Sequence, residues 1–129
     1  MLVNEPLPGE DEDRMDLKQT VTNYFLAFEQ KDIDTLSDMF HQDVCLKDWN
    51  ILARGKKSVL AANAEIFKAF DKITVLVENL YLSNMTAIAE LSILADDEVP
   101  LPVVDVITFH PDLEDGRFKI QSIVAYRGN

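Results

Sequence analysis

Asp105 interrupts the apolar run from Leu101 to Phe109. On a strand, where alternate side chains share a face, it stands with Leu101, Val103, Ile107 and Phe109. Burying an unpaired polar group costs roughly 2–7 kcal/mol before its charge is counted, so an acid on such a face is either paired or protonated. Both outcomes perturb its proton affinity, which is what general acid–base work or hydrogen-bond donation to a developing oxyanion requires. No basic residue sits beside it in sequence. Two structural alternatives stay open: hydrogen bonds from nearby backbone or hydroxyl donors, or the opposite parity, which would turn the acid to solvent.

A second acid lies on an apolar side of a short strand. Between Asp43 and Trp49 the period is two: Val44, Leu46 and Asp48 share one face, Cys45, Lys47 and Trp49 the other. At a strand end an acid is commonly a solvated turn former, whereas turned inward at a pocket edge it suits the role of general base. Tyr24 stands on a helical apolar stripe, where its ring packs and its hydroxyl takes any available partner. Asn63, on the apolar stripe of a later helix, is either a polar group in a cavity or one end of a structural hydrogen bond.

The remaining reactive side chains form no such set. His41 and His110 are far apart in sequence and lack ligand spacing, so no metal site is expected and both read as surface histidines. Cys45, on the face opposite Asp48, has no adjacent histidine or helix start to activate it and reads as packing. Arg54, Gly55, Lys56 and Lys57 lack the pattern of a phosphate loop and read as a solvated helix start.

The elements that would position these residues follow from periodicity. Leu17, Val21, Tyr24, Phe25 and Phe28 predict a first helix over about Asp11 to Gln30. Asp32 caps a second, carrying Ile33, Leu36, Met39 and Phe40 and ending near His41. Val59, Asn63, Ile66, Phe67 and Phe70 predict a third from Lys56 to Phe70, with Gly55 just before it. Strands are expected over Asp43 to Trp49, Ile73 to Leu82, Met85 to Ala95, Leu101 to Phe109 and Phe118 to Tyr126. Ser83-Asn84 and Asp115-Gly116 supply turns, and Asp96 to Pro100 fills the remaining break. Helices first and strands afterwards argue for an α+β fold, helices on one face of a mainly antiparallel sheet. The nearly continuous apolar runs from Ile73 and Leu101 call for cover on the other face too, which a homodimer through the sheet would provide.

Size and composition bound the rest. With 129 residues, 47% of them hydrophobic and 27% charged, one globular domain over residues 14–129 is expected, behind an acidic amino-terminal tail over residues 1–13. A balance of 12 basic against 23 acidic residues, net −11, repels phosphate backbones and anionic lipid, so neither nucleic acid nor membrane is an expected partner. One cysteine forms no intramolecular disulfide, and the first residues lack the basic start and apolar run of a signal peptide. A cytoplasmic location is the corresponding expectation.

Taken together, Tyr24, the segment Lys31-Asp32-Ile33-Asp34, the run Met39-Phe40-His41-Gln42-Asp43-Val44-Cys45-Leu46-Lys47-Asp48 and the run Val103-Val104-Asp105-Val106-Ile107-Thr108-Phe109 resemble the ketosteroid isomerases. These belong to the nuclear transport factor two-like superfamily, which also holds the SnoaL-like polyketide cyclases. The resemblance runs from about Leu17 to Tyr126. It implies a cone-shaped, cystatin-like roll in which a curved sheet and three amino-terminal helices enclose an apolar pocket. It also implies that Asp48 is the base, that Tyr24 and a protonated Asp105 hold the reacting oxygen, and that no cofactor or metal takes part. Phe28, Trp49, Asn63, Phe67 and Val103 are then the expected pocket wall. The implied activity is proton transfer on a small hydrophobic carbonyl compound, isomerising a double bond or closing a ring. Because folds host unrelated functions, a noncatalytic hydrophobic-ligand-binding or dimeric interaction module is the alternative.

Overall fold

The computed structural model describes residues 10–96, 98–112 and 117–128. The first nine residues of the expected acidic tail and the Asp115-Gly116 turn lie outside the described residues. Helix α1 (Glu10–Glu29) begins inside the span assigned to the tail. Leu17, Val21, Tyr24, Phe25 and Ala27 form its buried stripe, which packs mainly on strand β3 (Ile73–Ser83).

Helix α2 (Ile33–Met39) is capped by Asp32, whose carboxylate accepts from the Thr35 backbone N–H at 3.1 Å. It stops earlier than expected because Phe40 adopts an extended conformation while its N–H still donates to the Leu36 carbonyl. From there Phe40 starts β1 (Phe40–Lys47). A short strand, β2 (Leu52–Arg54), follows. Three residues are too few to display a period, which is why the sequence does not reveal it. Gly55 opens α3 (Lys56–Ala69) at a φ of 88°, a left-handed conformation that glycine adopts without steric cost. The strands β4 (Thr86–Ala95), β5 (Leu101–Pro111) and β6 (Phe118–Arg127) complete the chain, within a residue or two of expectation. Ser83 pairs with Thr86, so the hairpin loop is Asn84-Met85, with Asn84 at positive φ.

The six strands form one sheet in the order β2-β1-β6-β5-β4-β3. All pairings are antiparallel except β1 with β6. Register shifts in β1, in β3 at Val77/Asn79 and in β6 opposite Thr108/Phe109 increase local twist and bend the sheet. The three helices cover one face of this α+β arrangement. Two long-range hydrogen bonds fix their ends: Glu29 accepts from the Val75 N–H at 2.7 Å, and the Lys31 ammonium donates to the Phe70 carbonyl.

Leu36, completely buried where α2 meets α1, α3 and β6, has no exposed side to absorb a deletion. Leu36→Ala is therefore expected to lower unfolding free energy by about 2–5 kcal/mol, read as a drop in the urea midpoint at unchanged slope.

Candidate functional site

Strand β5 delivers Asp105 to the helix-covered face. The residue is 8% exposed, and its strand neighbours on that face, Val103 and Ile107, are 3% and 0% exposed. In the adjoining strands its register partners are Ala89 of β4 and Ala125 of β6. Two methyl side chains leave space where larger residues would have packed over the carboxyl. Above that space stands Tyr24 of α1, buried with its ring centroid 5.2 Å from Phe25 and 6.3 Å from both Phe28 and Phe40.

Asp48 reaches the same space from another direction. It lies one residue past β1, half-buried, in a tight loop. Its Oδ1 accepts from the backbone N–H groups of Asn50 at 2.7 Å and Ile51 at 2.6 Å, while its own N–H donates to the Ile51 carbonyl at 2.9 Å. Both sequence readings thus describe one residue: Asp48 forms a turn and also lines the pocket. Trp49, next in the loop, is 41% exposed at the pocket rim.

Tyr24, Asp48 and Asp105 converge on a single cavity of about 370 Å³, within the range of small-molecule sites. Its wall is mainly apolar, with Leu46, Ile66, Val75, Leu91 and Ile123 contributing, and exposed Val99 lies at its edge. Phe28, Trp49, Asn63 and Val103 line it as the sequence suggests; Phe67 does not. Helix α3 presents Asn63, Ile66 and Phe70 to the space. Phe67 stands behind, edge-on to Phe28 at a centroid distance of 5.0 Å. The spacing of apolar residues identifies the stripe but does not say which of its edges borders a void.

Burial, reinforced by the charge on Asp48, raises the Asp105 carboxyl from its ordinary value to about 7. Burial, followed by the proximity of Asp105, pushes the Tyr24 phenol well above the usual tyrosine range. Tyr24 consequently keeps its proton at neutrality and Asp105 keeps its own below about pH 7, and in those forms both are hydrogen-bond donors facing an apolar space. With a second carboxyl, Asp48, at the rim, the site sets a group able to exchange a proton beside donors able to stabilise negative oxygen.

Other clusters differ in character. A polar groove of about 490 Å³ between α1, α2 and the start of β6 carries the Arg117–Asp38 ion pair at 3.2 Å, with both side chains more than half exposed. His41 and His110, distant in sequence, have ring centroids 5.1 Å apart. Their Nδ1 atoms are engaged locally, with the Asp43 N–H and the Pro111 carbonyl. Among the described residues, no group of three or more His, Cys, Asp or Glu side chains is arranged to hold a metal ion. No described helix is long and apolar enough to cross a membrane.

The family model of the SnoaL-like domain matches residues 21–124. Among solved structures, the chain is similar to an NTF2-like protein of Streptomyces avermitilis provisionally named a dehydratase. The two are 21% identical over 92% of this chain and 98% of that one, with a TM-score of 0.78. It is also similar to a Sinorhizobium meliloti protein provisionally named a polyketide cyclase, at 22% identity over 86% and 96% of the chains with a TM-score of 0.72. A Nostoc punctiforme protein of unknown function with a cystatin-like fold matches at 12% identity over 90% and 91%, with a TM-score of 0.73. At these identities the likeness carries the fold alone. No curated protein sequence matches the chain.

The raised Asp105 value fixes the sign of a pH effect. The unfolded chain releases this proton near the ordinary value of 3.8, the folded chain near 7. Between those limits the folded state binds the extra proton, so this contribution to stability declines as pH rises and levels off above about 7. Asp105→Asn removes the decline and gains stability relative to wild type on going from about pH 5 to about pH 8, on the order of a few kcal/mol. Urea midpoints of both chains at the two pH values check this; parallel changes would show that Asp105 is not held protonated.

Proposed function

The chain belongs to the SnoaL-like domain family, and from that premise we propose that it catalyses cofactor-free proton transfer on a small hydrophobic carbonyl compound. The observation that carries this reading is the meeting of Tyr24, Asp48 and Asp105 on one apolar cavity. The substrate carbonyl oxygen lies against the Tyr24 hydroxyl and the protonated Asp105. Asp48 removes a proton from the carbon α to that carbonyl, and the electron pair moves onto the oxygen as an enolate. Two neutral donors in a low-dielectric space stabilise this charge more than water would. Returning the proton from Asp48 to the γ-carbon completes a double-bond shift. In the ring-closing variant, the enolate carbon instead attacks a second carbonyl of the same molecule, the first carbonyl re-forms, and the oxygen of the second takes the electron pair of its C=O bond and the proton held by Asp48. Asp48 has the means to act as base and turn former together, because its loop hydrogen bonds use Oδ1 and leave Oδ2.

The same loop supports a second reading. An acid engaged by two backbone N–H groups has a structural task that needs no reaction, so a noncatalytic hydrophobic-ligand-binding or interaction module of this fold is the alternative. For an enzyme or a ligand-binding module the partner is a small apolar ligand; for an interaction module it is a second copy of the chain. The net charge of −11 disfavours nucleic acid and anionic membrane, and one unpaired cysteine, Cys45, suits a reducing cytoplasm.

Asp48→Asn retains the Oδ1 acceptor and hence the loop. It is expected to reduce turnover of a β,γ-unsaturated ketone by about 10²–10⁴-fold without altering the melting temperature. Wild-type turnover in that variant would eliminate Asp48 as the base. The wild-type rate should also fall as pH rises through about 7, where Asp105 loses its proton.

A homodimer through the uncovered sheet face completes the proposal. One cross-strand row there reads Tyr81, Ile88, Val106 and Val124, with Tyr81 and neighbouring Tyr126 more than half exposed. A charge in the middle of this row, Val106→Lys, should convert a dimer to monomer in sedimentation velocity; an unchanged mass would place the contact elsewhere.

A further inference from the structure

Besides Asp105, the polar residue buried in the described core is Asn63, 2% exposed. It shares the inward stripe of α3 with Val59 and Phe67 and lines the cavity together with Tyr24 and Asp105. Its amide nitrogen is out of solvent and has no hydrogen-bond partner among the described residues. Leaving a buried donor unmet costs about 1–3 kcal/mol, a cost that leucine, with the same branching of its side chain, would avoid. The terminal torsion of asparagine is broad, so a small rotation turns an N–H toward a guest.

The wall that holds Asn63 is distinct from the one that holds Tyr24. Helix α3 packs on β1 and β2, whereas α1 packs mainly on β3. An oxygen held by Tyr24 and Asp105 therefore leaves Asn63 available to another part of the same molecule. We propose that Asn63 is a specificity-determining residue whose amide donates a hydrogen bond to a second acceptor oxygen, so that the cavity selects apolar compounds carrying two carbonyl or ether oxygens. A buried donor rejects analogues that leave it unpaired far more strongly than an apolar wall rejects a change of shape. The assignment of the first oxygen rests on the proposed function; the binding role of Asn63 does not require turnover.

The test compares a bicyclic enone bearing one carbonyl with the matched enedione bearing two, titrated calorimetrically into wild type, Asn63→Leu and Asn63→Ala. Wild type is expected to bind the enedione about tenfold more tightly, the equivalent of one well-made hydrogen bond. Both variants lose that preference while their affinity for the enone changes little. In the absence of ligand Asn63→Leu melts above wild type, because the unmet donor is gone. Equal weakening of both ketones, or an undiminished preference in Asn63→Ala, overturns the proposal by reducing Asn63 to a packing residue. Turnover is scored separately. A wild type that binds both ketones equally yet shows Asp48-dependent turnover defeats this inference alone, whereas preference without turnover defeats the catalytic reading and leaves this one standing.

Discussion

A carboxyl group on an apolar sheet face is the constraint to which the rest of this interior answers. Removing Asp105 from water disfavours its charged form, and a second acid bordering the same space disfavours it further. The low-energy solution is to keep the proton, which converts a liability into a hydrogen-bond donor. Asp48 lies shallower, half-buried, with its Oδ1 receiving two backbone N–H groups. The two carboxyls of one site thus differ in depth, and it is the deeper whose proton affinity is raised.

That solution requires empty space beside the acid, and the sheet supplies it by composition. Ala89 and Ala125 flank Asp105 in register, and Ala87 continues the series of small side chains in β4. Bulky residues lie farther out: Phe28 and Phe70 border the cavity while Phe40 and Phe67 pack behind it. The hydrogen bonds from Val75 to Glu29 and from Lys31 to Phe70 hold the helix ends over the hollow. A cavity of this size persists because the covering helices are fastened at their ends and cannot settle onto the alanines.

What could be read from the sequence follows the range of each signal. The period-two pattern of β5 identifies the face of Asp105 because Val103, Ile107 and Phe109 are local witnesses to it. The helical stripes of α1 and α3 are legible for the same reason. Strand β2 is not, being three residues long. Neither is the exclusion of Phe67 from the cavity, since the same stripe faces core at one edge and void at the other. The tilted contact of His41 with His110 depends on how β1 and β5 are arranged around β6, a relation without a local trace. The double engagement of Asp48 is intermediate: an acid at a strand end suggests a turn, an acid facing Leu46 suggests a pocket, and neither cue announces that one side chain serves both.

That double use bears on how the two functional readings relate. If Asp48 merely closed its loop, Oδ1 alone would suffice, and an asparagine would serve equally well without introducing a negative charge beside Asp105. An aspartate at this position instead carries an electrostatic cost, since its charge opposes that of the deeper acid. The loop does not explain the second oxygen, whereas the proposed proton abstraction would use it. The unmet amide of Asn63 poses the same question elsewhere in the cavity wall: shape alone would be better served by an apolar residue. Two side chains, both bordering one hollow, thus carry polar groups beyond what folding requires, and the proposed guest, with polar atoms at more than one point, would use them both.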